Sequence, residues 1–125
     1  MQVCKLQPLE AVGLEYEQLE RFWRRLGPET GELALGAAME DIALMMHEAQ
    51  MAWQLGDRPA LRRCAAGLRG AADRLGMPLL CVVAGDVLTL CDDGDASALA
   101  ATVARLQRVG ERSLCAVWDA QVPVG

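Results

Sequence analysis

The chain has 125 residues, 53% hydrophobic and only 4% aromatic, with a formal net charge of −5 at pH 7. That length predicts one domain, 1–125, able to bury a core without staples. The acidic balance, with no basic stripe to displace counterions, excludes nucleic acid as a partner, and an apolar set dominated by Ala, Leu, Val and Met favours helix over sheet.

Residues 1–14 read as an N-terminal extension, poorly ordered and lacking the apolar centre of a signal peptide. The first helical segment, about Glu15 to Leu26, carries Leu19, Phe22, Trp23 and Leu26 at helical spacing. It is short and is expected to pack across the others. The second, about Glu29 to Leu55, repeats Leu35, Met39, Ile42, Met46, Ala49 and Trp53 at alternating steps of four and three. That is a bundle seam about 40 Å long. Its methionines read as core filler rather than an adaptable binding surface.

The third segment opens with Asp57 as cap and Pro59 in its first turn, and Gly76 ends it. Leu61, Ala65, Leu68, Ala72 and Leu75 form its seam. The short turn at Gly56 to Arg58 predicts an antiparallel pair with the second segment. The fourth segment, Met77 to Cys91, contains an apolar run that also suits a buried strand, since periodicity does not separate the two. Helix is preferred, because a lone strand among helices has unpaired edges. The fifth runs from about Ala96 to Val117 behind Asp95. The whole predicts an all-α fold: an antiparallel up-down-up-down four-helix bundle with an additional short N-terminal helix across one end.

Chemistry-bearing residues are sparse. Five cysteines, Cys4, Cys64, Cys81, Cys91 and Cys115, show no metal spacing and read as reduced, mostly buried thiols. The longest apolar run, Met77 to Gly85, is too short to span a bilayer. These features predict a cytoplasmic protein with no membrane partner, metal or cofactor. Glu40 and Asp41 are consecutive on a helix and so do not face each other as an acid–base pair. Asp92-Asp93-Gly94-Asp95 lacks the frame and closing glutamate of a calcium loop and reads as a capping turn.

The outer face of the third segment stands apart. Three- and four-residue spacing gathers Arg62, Ala66, Arg69, Gly70 and Asp73, with Gly67 beside them. Glycine inside a helix costs about 1 kcal/mol against alanine, so two of them need a reason. One is close approach of a neighbouring helix; the other is a flat patch that receives another protein, with an arginine for an anionic group.

The stretch Ala66-Gly67-Leu68-Arg69-Gly70-Ala71-Ala72, with Leu75-Gly76 after it and Leu26-Gly27-Pro28-Glu29 before the second segment, resembles the histidine phosphotransfer (HPt) family. The resemblance spans roughly 26–117. It implies a helical bundle whose exposed histidine exchanges a phosphoryl group with a receiver-domain aspartate. It also implies a cation at Arg69 that holds the phosphate and a small residue at Gly70 that admits the receiver. The histidine position is Ala66, and a methyl group forms no phosphoramidate. The expected function is therefore a non-enzymatic signalling protein, monomeric, that docks a receiver domain or a histidine kinase without accepting phosphate. His47, the only histidine, is the alternative phosphoacceptor, expected level with residue 67 across the hairpin. A dimerisation module unrelated to phosphorelay is the third reading.

Overall fold

Proline and glycine punctuation sets the helix ends. The computed structural model describes residues 12–120, with backbone alone at Pro28. Among the described residues there are five helices and no strand: α1 (Tyr16–Leu26), α2 (Pro28–Gln54), α3 (Arg58–Arg74), α4 (Pro78–Asp93) and α5 (Ala96–Ala120). The 77–91 stretch is thus helical. Its buried residues, Leu80, Val83, Ala84 and Val87, recur at steps of three, one and three along one face, and both α3 and α5 pack against it.

α2 and α3 end alike. Gly56 and Gly76 both take a φ of 71°. The N–H that follows each glycine donates to a carbonyl in the last turn, Asp57 to Ala52 and Met77 to Ala72, each at 2.9 Å. This is a Schellman closure, which places a residue without Cβ at positive φ. Asp57 then caps α3, its Oδ1 accepting from the Ala60 N–H at 3.0 Å. Asp95 serves α5 in the same way, accepting from the Ser97 N–H at 2.9 Å.

Side-chain registers give the helix directions. Met45 touches Gly67, and Glu48 is a charged neighbour of Cys64. Climbing α3 therefore descends α2, so the pair is antiparallel about Gly56. Arg62 pairs with Asp92, while Arg69 lies over Gly85, so α3 and α4 are antiparallel too. Contacts run from α2 to α3, α3 to α4, α4 to α5 and back from α5 to α2, with none across either diagonal among the described residues. The enclosed core holds Leu35, Ile42 and Ala49 of α2, Leu61 and Leu68 of α3 with Leu75 just after it, and Leu99, Val103 and Leu106 of α5. Met39 and Trp53, expected in the α2 seam, are half-buried at its edge.

α1 packs on α2 and α3 at the end opposite the Gly56 turn. Leu19 is buried in the core and Phe22 and Trp23 pack against it, and backbone contacts add to this attachment. The Glu15 N–H donates to the Gly76 carbonyl at 2.8 Å, and Gln18 Nε2 donates to the Asp73 carbonyl at 3.4 Å. A Cβ on Gly31 would sit 2.8 Å from the Trp23 carbonyl. Of the expected N-terminal extension, residues 1–11 lie outside the described residues, while Val12 and Leu14 pack against the core. Among the described residues no helix is long and apolar enough to cross a membrane.

Candidate functional site

One step along a helix turns a side chain by about 100°. Ala65 is fully buried in the core, and that step brings Ala66 out to solvent. Arg62, Gly67, Arg69 and Asp73 are also exposed, and Gly70 is half-buried. The structure divides this set between two flanks of α3. Arg62, Ala66, Arg69 and Asp73 follow one row at steps of four, three and four, and that row runs along α4. Gly67 faces the other way, toward α2.

Across the α4 groove, Arg62 forms an ion pair with Asp92, both side chains about half exposed. A pair so open to water contributes little to stability, at most about 1 kcal/mol, but it occupies the Arg62 cation. Arg69 has no ion pair among the described residues. Its guanidinium lies about 4.0 Å from the place a Gly85 Cβ would fill, so Gly85 leaves room for it to rest on α4. Ala66 sits between the committed cation and the free one, presenting only a methyl group.

The two glycines have different reasons. A Cβ on Gly67 would come 2.7 Å from Met45 Sδ, so Gly67 is where α2 closes on α3. A Cβ on Gly70 would meet only the Arg74 side chain, at 3.7 Å, an ordinary contact. Packing within the chain therefore explains Gly67 and leaves Gly70 without a demand.

His47 is exposed, but it does not share this flank. Met45 faces α3, and two residues further along α2 is a rotation of about 200°, which turns His47 away from α3. The height differs as well: Met45, not His47, is level with Gly67. The turn pivots on Gly56, one residue before the Asp57 pivot that the expected pairing assumed, and each residue of pivot shifts the partner by two. The registers to Met45, Gly85 and Asp92 were absent from sequence reasoning. Only the small size of Gly67 and Gly85 carried a trace of them.

The remaining chemistry is muted. Cys64, Cys81 and Cys91 are half-buried free thiols. Burial pushes the Cys64 thiol above its ordinary 9.0; Glu48 and Asp57 push the same way, and Arg63 opposes them. Burial also raises Cys91, against Arg58 and Arg62. Thiolate is the reactive form, so both should alkylate more slowly than free cysteine at neutral pH. Since the unfolded thiols ionise first, their contribution to stability is complete below pH 9.0 and is lost as pH rises through the folded values. Urea midpoints at about pH 8 and about pH 10 check this: the drop should shrink in a Cys64→Ala/Cys91→Ala variant, and an unchanged drop contradicts it. The expectation of five reduced thiols fails at Cys115, which is buried and disulfide-bonded; Cys4 lies outside the described residues. Glu40 and Asp41 are both exposed. No group of three or more metal-ligating side chains is arranged to hold an ion among the described residues.

The chain matches no family model, and no curated protein or solved structure is significantly similar to it.

Proposed function

We propose that this chain is a phosphotransfer-like signalling protein that docks a receiver domain or a histidine kinase without taking up phosphate. It modulates a phosphorelay by competition or as a scaffold. In this reading the ring of α2, α3, α4 and α5 is an up-down-up-down four-helix bundle, α1 caps one end, and the protein works as a binding module rather than an enzyme. The observation that carries the reading is the α3 flank: an exposed Ala66 with the free Arg69 cation three residues on. Gly70, which no contact inside the chain requires, lies beside them. A receiver's acidic pocket supplies the anionic group for Arg69, and the bare backbone at Gly70 admits its surface.

Among the described residues no histidine or activated thiol serves this flank: burial raises the Cys91 thiol beside Arg62 above its ordinary value. Guanidinium stays protonated, Cys64 lies toward α2, and His47 points away from α3. The relay alternative through His47 consequently has no geometric support.

Titration of the full chain against receiver domains and histidine kinases tests the reading. Binding in the range of tens of micromolar is expected, and Arg69→Glu should weaken it at least about tenfold, a difference of about 1.4 kcal/mol. Ala66→His should cost no more than about 0.7 kcal/mol of stability. That variant should also gain an acid-labile label from a phosphorylated receiver, the phosphoryl group leaving the aspartyl oxygen for an imidazole nitrogen. No partner at these concentrations, together with an Ala66→His protein that folds and stays unlabelled, removes the proposal.

A further inference from the structure

A second surface lies on the opposite flank of α3 and on α2, and it is polarised. α2 carries five acidic residues, Glu29, Glu32, Glu40, Asp41 and Glu48, with no lysine or arginine. α3 places Arg63 and Arg74, and no acid, on this side; Arg62, Arg69 and Asp73 belong to the α4 flank. All of these residues are exposed. Along the outer line of α2, at steps of seven and four, stand Leu44, Met51 and Leu55, exposed by 55%, 43% and 77%. They form an apolar ridge that Glu48 interrupts, so that Leu44 is bracketed by Glu40 and Glu48. On the matching outer line of α3, Gly67 and Gly70 lie between Arg63 and Arg74; Met45 of the same chain fills the space beside Gly67, and Gly70 is the open one.

Leu44 between two carboxylates and Gly70 between two arginines are opposite in charge, and they sit side by side on one face. A two-fold axis along the α2–α3 seam places α2 of each copy over α3 of the other, which satisfies both contacts at once. Self-complementarity of this kind is the signature of an isologous interface. We infer that the chain forms a reversible homodimer through the α2–α3 face, Leu44 of each copy set against Gly70 of the other, with Glu40 facing Arg74 and Glu48 facing Arg63. The contact is one helix pair against another, with the single apolar residue Leu44 of each copy at the glycines of its partner. The dimer is consequently weak, with dissociation in the range of about 10–100 µM, and the chain is a monomer when dilute. Gly67 and Gly70 border the Ala66 flank, so a dimer and a docked receiver exclude each other.

Sedimentation equilibrium of the full chain from about 1 µM to about 1 mM tests this. The mass should rise from 13.5 kDa toward twice that value. Leu44→Glu, a change at an exposed position, should keep the helical spectrum and weaken association at least about tenfold. The decisive arm is a mixture. A Glu40→Arg/Glu48→Arg protein and an Arg63→Glu/Arg74→Glu protein should each stay monomeric alone, and should dimerise when mixed. A wild-type chain that remains 13.5 kDa throughout overturns the inference and leaves the ridge to a different protein. So does a mixture that fails to recover association. Arg69→Glu affects receiver binding and leaves this dimer unchanged, so the two proposals fail separately.

Discussion

Replacing Gly76 with alanine should cost about 3 kcal/mol of unfolding free energy and detach α1 from the rest of the fold. Two terms contribute. The first is conformational: φ is 71° at Gly76, and an L-residue there is strained by about 1–2 kcal/mol. The second is steric. The added Cβ would collide with the Glu15 carbonyl oxygen, a backbone atom with no rotamer through which to retreat. Relief requires moving the segment before α1, which breaks the Glu15–Gly76 hydrogen bond, worth about 0.5–1.5 kcal/mol. Gly56→Ala is the control, because its φ is also 71° while nothing lies within 4 Å of its added Cβ. It should lose the first term alone. Denaturant titrations of both variants measure the difference, and trypsin cleavage after Arg24 and Arg25 should accelerate only in Gly76→Ala. Equal losses in the two variants would show that the contact with Glu15 carries no weight.

Leu68→Ala should be comparably severe, about 2–5 kcal/mol. Leu68 is 0% exposed and lies on α3, the helix that packs against α2, α4 and α1. Truncation leaves a void that rigid neighbours cannot fill, and the penalty grows with the volume that stays empty. A domain of this size is stable by only about 5–15 kcal/mol, so the variant should melt many degrees lower. Leu55→Ala, at a position 77% exposed, should change stability by less than about 0.5 kcal/mol. Thermal unfolding of the pair checks the contrast. A Leu68→Ala loss under about 1 kcal/mol would mean that the interior collapses around the gap and is far less rigid than close packing implies.

The helices were legible because their punctuation is chemical. Asp57 and Asp95 cap, Gly56 and Gly76 close, and the α3 seam from Leu61 to Leu75 repeats with the helical period. What escaped has a common cause: it depends on which atoms meet, and composition along the chain does not encode that. Gly67 was ambiguous between packing and docking until Met45 was placed against it. Gly70 carried the same sequence signal with no such neighbour. Arg62 and Arg69 were indistinguishable as arginines on one face, yet only Arg62 finds a carboxylate, because Asp92 lies at its height on α4. The relation of His47 to Ala66 depended on a single residue of pivot in the turn. Cys115 had a partner that spacing could not reveal, since connectivity among widely separated cysteines is not written in their intervals.

The way α1 is held has a consequence for how such a chain can drift. Besides Leu19, Phe22 and Trp23 against the core, its contact with the rest of the molecule runs through backbone, at Glu15 and Gly76 and where Gly31 approaches the Trp23 carbonyl. Surface positions along α1 are therefore nearly free to mutate. Gly31 and Gly76, which belong to other parts of the fold, tolerate replacement poorly, because a Cβ at either would meet backbone of α1 or of the residue that caps it. In a random mutagenesis library screened for folded protein, the solvent-facing positions of α1 should be permissive, while Leu19 within it and these two glycines far from it in sequence should not be.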